Sequence, residues 1–251
     1  MKITSLCSSS SGNSTLIESE NTKIMIDAGS SLKKLEEAYG GKFSIDALLI
    51  THEHSDHISG AGVVGRKFAC PIFIAEESYN KRSDIFNGCL LNFINGGDTI
   101  ELGDFTIHTF NTKHDSEACI GYVVTEKATN KKFGLLTDTG SITKLIKVSL
   151  QDCDALFVEC DYDEEGLEKC SSYDDYLKDR IRSPWGHLSN QQAIEYFKND
   201  VNLEKLSWAI LGHLSKNTNS PEVLNGLLDE QIASEHRTKF YVADKPITLT
   251  I

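Results

Sequence analysis

Short runs rich in apolar and β-branched residues, TLIES, KIMIDAG, DALLIT, TIELG and FTIHTF, fill most of the first 110 residues, each about the length of one strand. DALLI is continuously apolar, the pattern of a strand buried on both faces. A helix is predicted over SLKKLEEAYGG, capped by Ser30 or Ser31 and stopped by the pair Gly40 and Gly41. Another is predicted from about Ile58 to Ala69, halting before Pro71. The pattern recurs in the second half. IGYVVTE, KKFGLLTD and DALFVEC read as strands with a helix over 141–150 between the last two. Helices over 166–181, 190–199 and 221–234 then alternate with LSWAILGH, TKFYVAD and ITLTI. Strands with helices interposed predict an α/β protein of layered sheets covered by helices. Neither a low-complexity linker nor a shift in composition divides the chain, and 251 residues with 39% hydrophobic content suffice for one domain over 1–251.

Charge narrows the partners. A formal net charge of -12 disfavours broad adhesion to nucleic acid or to an anionic membrane, since both require a basic surface. It leaves room for a nucleic-acid substrate held by a local basic patch or by bound cations. The seven cysteines form an odd set with no CxxC pair, which argues against a disulfide framework and fits a reducing cytoplasm. MKITSLCSSS carries one lysine and too short an apolar run for a signal peptide, and Leu6 before Cys7 is a poor lipoprotein cleavage site. No apolar run approaches the length of a membrane span, so no membrane association is expected; oligomeric state is left open.

The densest chemistry lies in THEHSDHISG, Thr51 to Gly60, directly after the buried run DALLI. Its position puts it at the carboxyl end of a strand, where α/β folds gather their ligands. His52 and His54 are two residues apart, hence on one side of an extended segment, and can converge on one ion. Asp56 and His57 fall where the chain turns into the next helix and can aim at a neighbouring position. The cluster therefore reads as a ligand set for two metals.

His52-x-His54-x-Asp56-His57 resembles the HxHxDH signature of the metallo-β-lactamase fold superfamily. The other positions of that pattern have counterparts in order: Asp27 in IMIDAG, His114 in TKHDSEA, Asp138 in LLTDTG and His213 in AILGHLS. The resemblance implies a four-layer αββα sandwich. It also implies one metal on His52, His54 and His114, another on Asp56, His57 and His213, and Asp138 between them, with Asp27 orienting the histidine loop from behind. CSSSSGNST, GHLSNQQA and GHLSKN extend the likeness to the YycJ (WalJ)-like branch, which is related to ribonuclease Z, over essentially the whole chain. VECDYD departs from that branch: Asp161 and Tyr162 follow Glu159 where an asparagine and a histidine are usual. Two divalent cations are expected, zinc foremost, with manganese and iron as the other fits to histidine and carboxylate ligands.

Two cations about 3.5–4 Å apart lower the pKa of a bridging water and clamp the attacking and leaving oxygens of a phosphodiester. Asp56 can orient the resulting hydroxide as well as bind metal. His187, just before a helix capped by Ser189 or Asn190, is a candidate proton donor to the leaving oxygen, with Glu159 fixing its tautomer; it can equally serve the helix start. Ser10, Ser11, Gly12 and Asn13 fit either a tight hairpin turn or a cradle for a phosphate oxygen. Lys216 and Asn217 either touch substrate or face water. His108 and His236 read as an ordinary strand residue and a helix-end residue. The expected activity is a phosphodiesterase or nuclease, with DNA attacked from a 5′ end as the substrate the branch implies. Hydrolysis of a thioester or lactone and a metal-bound regulatory or scaffold role are the alternatives.

Overall fold

The apolar runs form the strands they predict, and the chain lays them into two sheets. In chain order the computed structural model contains β1 (Lys2–Cys7), β2 (Ser14–Glu18), β3 (Lys23–Ile26), α1 (Leu32–Tyr39), β4 (Ala47–Leu49), α2 (Ser55–Ile58), α3 (Ala61–Phe68), β5 (Pro71–Ile74), α4 (Glu76–Lys81) and β6 (Leu90–Phe93). There follow β7 (Thr99–Leu102), β8 (Phe105–Asn111), β9 (Ile120–Glu126), β10 (Lys131–Leu136), α5 (Lys144–Leu150), β11 (Ala155–Glu159), α6 (Glu164–Lys169), α7 (Asp175–Arg182) and α8 (Asn190–Asp200). The chain closes with β12 (Trp208–Gly212), α9 (Pro221–Gln231), β13 (Lys239–Val242) and β14 (Ile247–Thr250). The structure describes residues 1–232 and 236–251.

One seven-stranded sheet has the order β14-β1-β2-β3-β4-β5-β6, the other β13-β12-β11-β10-β9-β8-β7. They face each other across a core that takes Ile17, Ile24 and Leu49 from the first and Ile107, Phe133 and Ile210 from the second. The outer face of the first sheet packs Leu48 and Ile72 against Leu35 of α1 and Val64 of α3. The outer face of the second packs Leu156 and Leu211 against Ile146 of α5, Phe197 of α8 and Leu224 of α9. These are the four layers αββα. Strands β3 to β6 run parallel, as do β10 to β13, so several carboxyl ends emerge along one edge of the sandwich. The functional side chains gather there.

The expected helix over 58–69 is two, α2 and α3, broken at Ser59 and Gly60. Gly60 donates its N–H to Ala28 O at 2.8 Å, and a Cβ there would lie 2.1 Å from Ser30 O, so the break lets two loops touch. The expected helix over 166–181 is also two. Between α6 and α7, Asp174 turns its carboxylate onto Leu177 N and starts a new helix instead of continuing the old one. Helix α9 ends at Gln231, and residues 233–234 of the predicted helix lie outside the described residues. β1, β5, α4 and β6 were not anticipated by the pattern. His108 is an exposed residue of β8 bonded to Thr99, and exposed His236 lies beyond α9, beside Glu204. Among the described residues, no helix is long and apolar enough to cross a membrane.

Candidate metal centre

Each candidate metal ligand and its carboxylate neighbours stand where a strand runs out. Asp27 follows β3, Thr51 to His57 follow β4, His114 follows β8, Asp138 follows β10, Glu159 ends β11 and His213 follows β12. Asp27, Asp138 and His213 have φ of 59°, 51° and 60°. This left-handed turn, costing a non-glycine residue about 1–3 kcal/mol, swings each side chain back over the edge of the sandwich. The result is a compact group. His52, His54 and His114 present ligand atoms within 4.8 Å of one another, and so do Asp56, His57 and His213. Asp138 touches both sets: its Oδ2 is 3.1 Å from His57 Nε2, and its Oδ1 is 3.7 Å from His114 Nε2 and 3.4 Å from His213 Nε2. Behind them Asp27 accepts from Thr51 N and Thr51 Oγ1 at 2.8 Å each and from His57 Nδ1 at 2.7 Å. Glu53, in the same loop, turns away and accepts from Ser78 Oγ and Glu117 N.

The electrostatics are those of a site built for cations. Burial, reinforced by the neighbouring His57, holds His52 well below the usual imidazole range, and burial also lowers His114. Burial opposes ionisation of Asp138 too, but His213, His57 and His52 outweigh it and keep the carboxyl well below its ordinary value. The same balance lowers Asp56, through hydrogen bonds from His213 and His57. His52 Nε2 is fully buried yet has no hydrogen-bond partner. An unsatisfied buried nitrogen costs on the order of 1–3 kcal/mol unless something fills its lone pair. Burial works against the charged forms of His57 and His213, but Asp138 and the carboxylates beside them outweigh it and raise both well above the usual imidazole range. Imidazoles and ionised carboxylates aimed at one another form a donor set that fits divalent cations, which would take the place of those protons. His187 belongs to the same surroundings. Its Nδ1 donates to Glu159 Oε1 at 2.6 Å, and although burial works against the charged form, Glu159 and Asp161 outweigh it and raise the imidazole to about 9. Glu159 Oε2 in turn accepts from Thr139 N at 3.0 Å.

The family described as "Beta-lactamase superfamily domain" matches residues 22–203. The chain belongs to the metallo-β-lactamase superfamily. Within it the chain is 34% identical over 241 residues, 92% of its length and 88% of the relative's, to the exodeoxyribonuclease WalJ of Streptococcus pneumoniae (strain D39). It is 30% identical over 225 residues, 87% of this chain and 84% of the other, to the exodeoxyribonuclease YycJ of Bacillus anthracis, and this places it in the WalJ/YycJ branch. The crystal structure of the metallo-β-lactamase fold protein YhfI from Bacillus subtilis superimposes with a TM-score of 0.75 at 17% identity, covering 99% of both chains.

For this member of the superfamily the remaining candidate residues divide. Ser10 donates to Asp161 Oδ1 at 3.4 Å, and both line a 170 Å³ cavity beside His187 together with Tyr173, Leu177 and Ile181. Asn13 is buried, donating to Asp56 Oδ2 at 3.2 Å with its amide nitrogen 3.1 Å from His57 Nε2, so it packs against the ligand set. Exposed Ser11 bonds to Ser9, and Gly12 packs on Gly29. Lys216 lines a separate cleft with Lys34 on the far side of the serine loop, while Asn217 donates to Tyr173 Oη. Of the two residues that depart from the branch, Asp161 faces the cavity and lies 3.4 Å from His213 Nδ1, without the alignment of a hydrogen bond. Tyr162 is buried and pairs with Ser189. The sequence pattern missed Thr51, Ser8, whose Oγ accepts from His213 N at 2.6 Å, and Asp115, which contacts His114 and pairs with Arg180. These contacts span 24 to 205 residues, or join neighbours whose approach depends on the fold, and leave no local signal.

Proposed function

We propose that residues 1–251 act as one catalytic domain: a divalent-metal-dependent phosphodiesterase that degrades DNA from a strand end, the 5′ end by likeness to its branch. The observation that carries the reading is Asp138, a buried carboxylate within 3.1–3.7 Å of His57, His114 and His213, with the His187–Glu159 pair on the same side. His52, His54 and His114 would hold one cation and Asp56, His57 and His213 another, with Asp138 shared. Bound there, zinc or manganese supplies Lewis acidity toward water and phosphoryl oxygens. The WalJ and YycJ relatives, which align with most of the chain, are exodeoxyribonucleases, and this supports DNA as substrate.

The chain's own residues do the rest. Asp27 fixes the His57 ring, and with it the direction of His57 Nε2, through the 2.7 Å bond to Nδ1. Asp56, ionised and held by Asn13, accepts from the attacking water and orients it. Glu159 engages the Nδ1 of His187, a residue lining the cavity, which leaves Nε2–H as the group to donate a proton to the departing alkoxide oxygen. An imidazole raised to about 9 is protonated at neutral pH, the form a general acid requires. Seven free cysteines support a reducing compartment, the cytoplasm.

The test is turnover of an end-labelled oligonucleotide, a thioester and bis(p-nitrophenyl) phosphate by metal-loaded protein, beside Asp56→Asn and a chelated control. Cleavage of the oligonucleotide that is lost in both controls supports the reading. Thioester turnover alone, or none at all, contradicts it.

A further inference from the structure

The serine loop between β1 and β2 borders two different hollows. Ser8 Oγ accepts from His213 N at 2.6 Å and Ser10 lines the cavity beside His187, so these two belong to the metal centre. Ser9 and Ser11 line instead a 230 Å³ cleft that they share with Ser30 and the exposed lysines Lys34 and Lys216. The loop is fixed between the two hollows. Asn13 Oδ1 accepts from Ser9 N at 3.1 Å, Asn13 Nδ2 donates to Ser9 O at 3.0 Å, and Asn13 N donates to Asp56 O at 2.8 Å, which ties the turn to the ligand segment. Both lysines lie on segments that lead out of the centre: Lys34 on α1, which follows Asp27 and β3, and Lys216 three residues beyond His213. No carboxylate among the described residues lines this cleft. In the cleft beside His54 and Asp56, by contrast, Glu117 meets Lys81 at 2.6 Å and Asp115 pairs with Arg180.

Uncompensated ammonium groups beside hydroxyl donors on a fixed loop suit the phosphates of a nucleic-acid backbone. A net charge of -12 makes the surface as a whole repel DNA, so a local patch of this kind must supply the attraction. Ser10 and Ser11, both exposed, form the crest between the two hollows, and DNA laid across it reaches both. We propose that Lys34 and Lys216 form a second anion site, which holds a backbone phosphate of the DNA away from the bond being cut and so fixes where the polymer lies when that bond reaches the metal centre. Lysines meet phosphates as point charges and read no base, so the site sets affinity and position without sequence preference. The inference rests on the phosphodiesterase reading above and adds how the polymer is held beyond its scissile phosphate.

The experiment follows metal-loaded protein over a range of potassium chloride in two arms. Fluorescence anisotropy measures binding to a labelled DNA duplex protected by phosphorothioate end linkages, and turnover is measured on the same duplex without them. Wild type is compared with the pair Lys34→Gln and Lys216→Gln, with the pair Lys34→Arg and Lys216→Arg, and with a control pair, Lys67→Gln and Lys198→Gln. The control removes the same charge from exposed positions in the last turns of α3 and α8. Each lysine that neutralises a phosphate adds about 0.9 to the slope of log Kd against log salt on duplex DNA. The glutamine pair at 34 and 216 should therefore lower that slope by about 1.8 and raise KM at low salt, with kcat at saturating DNA little changed. The arginine pair and the control pair should keep the wild-type slope. A glutamine pair with wild-type slope and KM, or a control pair that changes as much, overturns the proposal. Wild type that binds DNA but cuts neither it nor bis(p-nitrophenyl) phosphate overturns the phosphodiesterase reading instead, a failure that the binding arm tells apart.

Discussion

At the scale of single residues, the site depends on groups that hold other groups in place. His187 is engaged by Glu159 through Nδ1, so its contribution should follow how badly the leaving group needs a proton. His187→Ala is expected to lower kcat on DNA, where an alkoxide departs, by about 10²–10⁴-fold. On bis(p-nitrophenyl) phosphate, whose leaving group departs as a stable anion, the loss should be much smaller; equal losses on the two substrates would remove the proton-donor role. Asp27 accepts three hydrogen bonds from Thr51 and His57 and fixes the direction of both. Asp27→Asn should weaken divalent-cation binding about 10–100-fold, read by competition with a chromogenic chelator. Unchanged affinity would show that the ligand loop needs no such brace.

At the scale of elements, the carboxyl ends of parallel strands and the loops locked against them position the chemistry. Gly140 is the point of closest approach between the loop after β10 and the loop carrying His187. Gly140→Ala should cost about 1–3 kcal/mol in urea unfolding, as overpacking does, and lower kcat by displacing His187; wild-type stability and rate would show that the two loops can part freely. Across the first sheet, Glu18 of β2 pairs with Lys2 of β1 at 2.6 Å and Lys23 of β3 at 3.1 Å. Burial would raise the carboxyl, but the two lysines outweigh it and lower its pKa. Its contribution to stability is thus fully present above the unfolded value near 4.5 and is lost as pH falls through the lower folded value. Glu18→Gln should flatten the stability profile below about pH 4.5, by no more than about 1 kcal/mol because both lysines are partly exposed. The elements that sequence made legible are those with a burial signature. The cores ALL, ALFV and WAIL of DALLI, DALFVEC and LSWAILGH are continuously apolar because β4, β11 and β12 are covered on both faces. Strand β6 lies mostly in solvent, with Leu90, Asn92 and Phe93 exposed, and β5 opens on Pro71, so neither pattern announces a strand. The candidate ligands were legible for a related reason, each polar group interrupting or closely following an apolar run. Thr51 and Ser8 were not, because their parts come from contacts the fold creates.

At the scale of the whole molecule, two sheets bring together residues from positions 27 to 213, and the core between them is what keeps that edge in register. Cations bound to the folded chain stabilise it by mass action. At a concentration about 100 times Kd the gain is about 2.7 kcal/mol, or roughly 5–10 °C in Tm for a chain of this size. Zinc or manganese should produce that rise in a thermal melt and a chelator should reverse it, whereas a melt indifferent to both would leave the buried imidazoles and carboxylates without a purpose. The most direct test of the central claim is hydrolysis of end-labelled DNA, offered as single strand and as duplex, by metal-stripped protein titrated with zinc or manganese. Cleavage should rise from background and saturate at about two equivalents per chain. Stripped protein that cuts as fast as loaded protein, or no cutting at any loading, would contradict the account.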